Sequence, residues 1–104
     1  MSSLLTPSLK LHSDWYVYLI RMSNNALYCG ITTDLERRFR QHCNGTGAKA
    51  LKGKGPLKLE WHQYIGTSRS EASKIEYRIK QLSKAKKEQI VSGEYVIERC
   101  IDNT

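Results

Sequence analysis

Cysteine chemistry has little to work with in this sequence. Its three cysteines, Cys29, Cys43 and Cys100, are odd in number and show no C-x-x-C spacing. A disulfide scaffold and a zinc knuckle are thereby disfavoured, and a reducing, cytoplasmic setting is expected. Long apolar runs are also missing. With no stretch of about 18 apolar residues, neither a membrane span nor a membrane partner is expected. The opening MSSLLTPSLKLHSDW lacks a basic start followed by an apolar core and small-residue cleavage site, so no secretory signal is read there. Acidic residues are few, 10 against 17 lysines and arginines, which leaves a net charge of +7. A surface of that sign attracts polyanions. Nucleic acid ranks ahead of anionic lipid because no basic amphipathic helix stands out.

What is present fits one small domain: 104 residues suffice for a single modest core. Residues 1–13 lack periodicity and read as a flexible tail, 14–94 as the folded domain, and 95–104 as a carboxy-terminal extension. From Trp15 to Arg21 the chain is rich in β-branched and aromatic residues, with apolar side chains on both alternating faces, so a strand covered on both sides is predicted. Leu27–Thr32 is the returning strand. Ser23, Asn24 and Asn25 form the turn between them, as a three-residue loop closing Met22 onto Ala26 with Asn25 left-handed. That register sets Tyr18 opposite Gly30 and Ile20 opposite Tyr28, so both tyrosines share a face.

Asp34 caps a helix running to about Cys43, whose packing stripe is Leu35 and Phe39, with Arg38 and His42 on or beside it. Residues 45–56 read as an irregular glycine and lysine loop. Leu57–Tyr64 alternates as a third strand, with Leu57, Leu59 and Trp61 on its covered face. Ser68 to Glu71 is a capping box that opens a second helix. Its stripe is Ala72, Ile75, Ile79 and Leu82, and Glu76 lies inside that stripe. A third helix spans Lys84 to about Ser92, and Tyr95–Ile101 is read as a short last strand. The fold class is α+β, a three-stranded, mainly antiparallel sheet flanked by three helices.

Three anomalies align: two tyrosines on one strand face, Arg38 with His42 inside one helix, and Glu76 inside another. A charge on an apolar stripe costs several kcal/mol unless it is paired or faces water. A shared polar cleft between both helices and the sheet explains all three. So does a buried Arg38–Glu76 ion pair with tyrosines packed around it, and residue types alone leave both readings open.

The chain also resembles a family. Tyr16-Val17-Tyr18, followed ten residues on by Tyr28-Cys29-Gly30, is similar to the paired motif of the GIY-YIG endonuclease superfamily. Arg38, His42 one turn later, and Glu76 in KIEYRIK fall where that family keeps an arginine, in some members a histidine, and a glutamate. The resemblance covers roughly residues 14 to 92 and is strongest to the short stand-alone bacterial branch. It extends to the catalytic domains of homing endonucleases and of an excision-repair nuclease. Tyr16 replaces the family's first glycine and Cys29 its isoleucine; an asparagine that some members place near the metal has no match here, Asn103 lying in the tail.

The resemblance implies a metal-dependent DNA endonuclease acting in repair or processing with low sequence specificity. Tyr28 would be the general base and Tyr18 would orient water or phosphate. Arg38 would grip a phosphate oxygen, and His42 would hydrogen-bond Tyr28 or shuttle its proton. Glu76 would hold one Mg²⁺ or Mn²⁺, a hard cation suited to a carboxylate and several waters. Because a free tyrosine titrates near ~10, a tyrosine base needs neighbouring positive charge. Arg37, Lys49, Lys52 and Lys54 are candidate contacts to the nucleic-acid backbone. The alternative is a non-catalytic nucleic-acid-binding module on the same scaffold. One site per chain means that cutting both strands takes a dimer or two sequential nicks.

Overall fold

The computed structural model describes residues 13–97. Three strands form one antiparallel sheet: β1 (Trp15–Arg21) lies in the centre, flanked by β2 (Leu27–Thr32) and β3 (Lys58–Gly66). The helices are α1 (Leu35–Cys43), α2 (Arg69–Lys80) and α3 (Lys84–Ser92), and a single 3-10 turn covers Lys49–Leu51. This is the α+β arrangement that the pattern predicts.

The central strand is covered on both sides because its alternating residues feed two separate cores. Val17 and Leu19 join Cys29, Ile65, Ala72, Ile75, Ile79 and Ile90, the face occupied by α2 and α3. Tyr18 and Ile20 join Leu51, with Tyr28, Leu35 and Phe39 packed around them, the face occupied by α1. The hairpin closes as its residues predict. The Met22 amide donates to the Ala26 carbonyl at 2.9 Å, and Asn25 is left-handed at φ 74°. Tyr18 stands opposite Gly30 and Ile20 opposite Tyr28. Gly30 is required there, since a Cβ would collide with the Tyr18 ring and hydroxyl.

Strand β3 departs from the sequence reading in two ways. It extends to Gly66, because pairing with β1 continues until Gly66 meets Trp15, and Ile65 there is buried. Its apolar residues also divide between faces: Leu59 packs in the α1-side core and Trp61 in the other. A β-bulge causes this. Leu59 pairs with Ile20 and Trp61 with Leu19, so the extra residue Glu60 breaks simple alternation. Arg21 closes the irregular region through its Nε to Glu60 at 2.8 Å and through Nη1 and Nη2 to both Glu88 oxygens, at 2.6 and 2.8 Å. Hydrogen bonds from Arg21, then from Lys84, hold the Glu88 carboxyl down at about 2.

Helix α2 starts as its cap predicts, the Ser68 side chain accepting from the Glu71 amide, and α3 is capped by Ser83, whose side chain accepts from the Lys86 amide. Gly93, left-handed at φ 87°, stops α3. Tyr95–Ile97 forms no strand; Ile97 is buried and its carbonyl accepts from Gln63 Nε2 at 3.0 Å. The rest of the proposed last strand, like the tail from 1 to 12, lies outside the described residues.

Candidate active site

Helix α1 starts at Asp34, whose carboxylate accepts the Arg37 amide at 3.0 Å. From that start, Arg38 and His42 fall one turn apart on the side facing β1 and β2. His42 is 2% exposed, and its ring lies 5.9 Å from that of Tyr18 and 5.7 Å from that of Tyr28. The two tyrosine rings are 6.4 Å apart. His42 Nε2 and the Tyr18 hydroxyl are hydrogen-bonded at 2.9 Å. The partner is therefore Tyr18, where the sequence reading offered Tyr28. The strand register explains this, for Gly30 beside Tyr18 leaves the gap in which the Tyr18 hydroxyl sits.

Burial decides the electrostatics of this cluster. It pushes the Tyr18 phenol up to about 12, with repulsion from Tyr28 adding and Arg38 opposing. It pushes His42 down to about 4, and the positive charge of Arg38 adds to the effect. Both groups are therefore neutral at pH 7. Arg38 is half-buried and donates from Nη1 to Gln41 Oε1 at 3.0 Å. Among the described residues Arg38 makes no ion pair with Glu76, so the buried-pair reading of these residues is not what the fold contains.

Glu76 belongs to the other side of the sheet. Its helix packs on the face of Leu19 and Cys29, opposite to that of Tyr18, so α1 and α2 cover opposite faces of the sheet. Glu76 is half-buried at the margin of the Ala72–Ile75–Ile79 stripe, and its carboxylate holds Lys80 Nζ at 3.1 Å. Burial pushes the Cys29 thiol up to about 12, and the charge of Glu76 adds to the rise, which makes this cysteine an inert packing residue. Burial, the largest single influence, lowers the Lys80 ammonium, but the hydrogen bond to Glu76, the charge of Glu76 and smaller pulls from Tyr28 and Cys29 together outweigh it, and the net shift is upward. The Glu76–Lys80 pair thus reaches the edge strand β2 that carries Tyr28.

Among the described residues no three His, Cys, Asp or Glu side chains cluster as a ready-made metal cage. A single carboxylate with one oxygen engaged by Lys80 fits a hard divalent ion that keeps several waters and takes other oxygens from a phosphate. It does not fit a metal that demands sulfur or imidazole ligands.

The basic candidates lie at the surface. Arg37 is exposed and faces Asp34 at 3.8 Å, and Lys49, Lys52 and Lys54 are exposed. Their loop is less free than its glycines suggest. Leu51 is 1% exposed within the α1-side core, the Lys54 carbonyl accepts from the Ser23 amide at 2.8 Å, and the Ala48 amide donates to His42 Nδ1 at 3.1 Å. Sequence reasoning missed the contact at Ala48. The one signal for it was the isolated Leu51 in a polar loop, which needed an apolar partner and so had to return to the sheet.

Residues 14–89 match the family model for the GIY-YIG catalytic domain. The chain is 61% identical over 84 residues to a UPF0213 protein of Vibrio cholerae serotype O1, covering 81% of this chain and 83% of that protein. It is 54% identical over 89 residues to the UPF0213 protein YhbQ of Salmonella typhimurium, covering 86% and 88%. Two solution NMR structures share the fold. A UPF0213 protein from Bacillus halodurans aligns at TM-score 0.50 with 41% identity, covering 78% of this chain and 85% of its own. A protein from E. faecalis aligns at 0.54 with 31% identity, covering 80% and 90%.

Proposed function

The chain belongs to the GIY-YIG catalytic-domain family, and from that premise we propose that it is a metal-dependent endonuclease hydrolysing phosphodiester bonds of DNA. The observation that carries the proposal is the cluster of Tyr18, Tyr28, Arg38 and His42 on one sheet face, in which a buried histidine bonds a tyrosine instead of filling the core with carbon. A packing role alone does not call for four polar side chains there, each at the cost of desolvation.

The roles follow from exposure and charge. Tyr18 and His42 are buried and neutral, so neither exchanges protons at pH 7. Tyr28 is half-buried, and no hydrogen bond to a described residue engages its hydroxyl. As the phenolate, it takes the proton from the attacking water. Arg38, whose charge acts on Tyr18 and His42, steadies the negative charge that builds on phosphorus and grips a non-bridging oxygen through its planar fork. Glu76 would hold the divalent ion, Mg²⁺ or Mn²⁺, releasing Lys80 as it does so. That ion, when bound, would polarise the phosphate and neutralise the departing 3′ oxygen. Arg37, Lys49, Lys52 and Lys54 contact phosphates along the strand, which positions a substrate without reading bases and gives low sequence specificity. Such an activity suits repair or processing of DNA in the cytoplasm.

One observation favours a second reading, a nucleic-acid-binding module without turnover: the Glu76 carboxylate is already engaged by Lys80. Incubation of supercoiled, branched and single-stranded DNA with Mg²⁺, Mn²⁺ or EDTA separates the two. Nicking that needs metal and is lost in Tyr28→Phe, Arg38→Ala and Glu76→Gln is expected. Salt-sensitive binding with no cutting of any substrate would establish the binding module instead.

A further inference from the structure

His42 makes two hydrogen bonds, and together they fix where its proton sits. The Ala48 backbone N–H donates to Nδ1 at 3.1 Å, so Nδ1 is the lone-pair nitrogen of a neutral ring. The ring proton is then on Nε2, and the 2.9 Å contact to Tyr18 runs from Nε2–H to the phenol oxygen. The Ala48 amide reaches Nδ1 only because residue 47 is glycine. A Cβ at Gly47 would collide with His42 Nδ1 and crowd the His42 backbone. The segment is held there from both ends: Gly47 N–H donates to the Gln41 carbonyl at 3.0 Å, and Leu51 is buried in the α1-side core.

We propose that Gly47 and Ala48 are positioning residues of the active site, holding His42 as a fixed, neutral Nε2–H donor to Tyr18 so that Tyr18 must direct its own hydroxyl proton away from His42, toward an oxygen in the substrate pocket. The proposal rests on the nuclease reading of this cluster. It replaces a proton-shuttling histidine with an orienting one, since a ring whose Nδ1 is occupied by a backbone donor has no nitrogen free to accept. The charged and titratable groups facing His42 are Arg38 on its own helix, Tyr18 on β1 and Tyr28 on β2. Arg38 carries donors only, so the acceptor for the Tyr18 proton is a phosphate oxygen of the substrate. With Tyr18 and His42 both fixed, Tyr28 is left as the group that moves a proton.

The test reads the tautomer directly, by long-range ¹H–¹⁵N correlation of the histidine rings in the full chain at pH 7. The expected result is a His42 ring with unprotonated Nδ1 and protonated Nε2, with no averaging between tautomers. A ring protonated at Nδ1, doubly protonated, or averaging between forms overturns the proposal whether or not the protein cuts DNA. Gly47→Ala is expected to release the lock, so that the ring averages and cleavage falls at least tenfold. A Gly47→Ala protein that folds and retains both the tautomer and full cleavage overturns it. His42→Gln tests the role without touching the loop, because the Gln amide can still donate to Tyr18 but cannot carry a shuttled proton. Nicking by His42→Gln within about tenfold of wild type, with an unshifted pH profile, against a hundredfold loss in His42→Leu, is the expected pattern. Equal hundredfold losses in both would establish a shuttle and overturn the positioning role. Complete absence of cutting in wild type counts against the nuclease reading alone, since the tautomer is measured without turnover.

Discussion

The two faces of the central sheet are built from one strand and have opposite characters. Behind it, Val17 and Leu19 meet Ile65, Ala72, Ile75, Ile79 and Ile90, an aliphatic core with every one of those residues under 2% exposed. In front, the next residues of the same strand, Tyr18 and Ile20, meet Leu51, with Tyr28, Phe39 and the buried His42 beside them. Alternation along a strand lets one segment serve both ends at once. The aliphatic face anchors the sheet, and the polar face uses that rigidity to hold a tyrosine, a histidine and an arginine within reach of one another. Apart from Glu76, whose helix lies behind the sheet, stability and chemistry are therefore expected to separate by face.

The sharpest break of that comparison is Tyr28→Phe. No hydrogen bond to a described residue engages its hydroxyl, so removing it leaves no buried partner unsatisfied and the melting temperature should hold. Cleavage should fall by roughly 10²–10⁴-fold, the usual contribution of a positioned general base. A plasmid-nicking time course beside a thermal melt checks both halves. A large loss of stability with little change in nicking would reverse the assignment of the faces.

The converse substitution lies behind the sheet. Ile79→Ala leaves a cavity beside Ile75 and Cys29 in a fully buried cluster, and about 2–5 kcal/mol of stability should be lost. For a domain of this size that is a fall in Tm of at least ~10 °C. At a temperature where the variant remains folded, nicking per folded molecule should stay near wild type. Denaturant titration with activity measured in parallel decides it.

A smaller effect separates the faces by pH. His42 is held at about 4 in the fold against an ordinary value near 6.5. The folded form thus resists a proton that the unfolded chain accepts. Its contribution is complete above about pH 6.5, declines as pH falls, and is gone below about 4, where both states are protonated. The span corresponds to a few kcal/mol at most, on the order of 1.4 per pKa unit. Wild-type stability should decline more steeply from pH 6.5 to 4 than that of His42→Gln, and matching slopes would show that His42 carries none of it.

How much of this was legible follows the same division. The aliphatic face was written in periodicity: the Ala72, Ile75 and Ile79 stripe and the Ser68 cap predict α2 to within a residue of its observed start. The hairpin register was legible because Asn25 and Gly30 are demanded by geometry, one by a left-handed turn and the other by the Tyr18 ring against it. The polar face was legible only as a list of misplaced residues, and its connections were not. Which tyrosine bonds His42, and that Glu76 stands behind the sheet with Lys80, depend on how helices pack across it. Periodicity along one helix carries no such information. The split of Leu59 and Trp61 between faces was hidden for a related reason, since a bulge at Glu60 breaks the alternation on which a strand reading depends.

The smallest expected effects lie on the loop that joins the faces' periphery to the site. Lys52 and Lys54 are exposed, yet the segment that bears them is pinned by Leu51 in the front core and by the Lys54 carbonyl on the Ser23 amide. A pinned loop holds its charges in place without a folding cost at each encounter, so each lysine should neutralise a defined phosphate. Removing one charge, as in Lys52→Ala, should then weaken binding to all DNA sequences alike and reduce the slope of log K against log salt by about one. Thermal stability should be unchanged, because an exposed lysine with no ion pair among the described residues contributes little. Leu51→Ala sharpens the point. It keeps every lysine but frees the loop, and it should cost stability through the front core while also loosening the Ala48 contact to His42. Fluorescence anisotropy at several salt concentrations gives the slope. If Lys52→Ala leaves it unchanged while Leu51→Ala does not, the loop serves the site through His42 and carries no phosphate contact at Lys52.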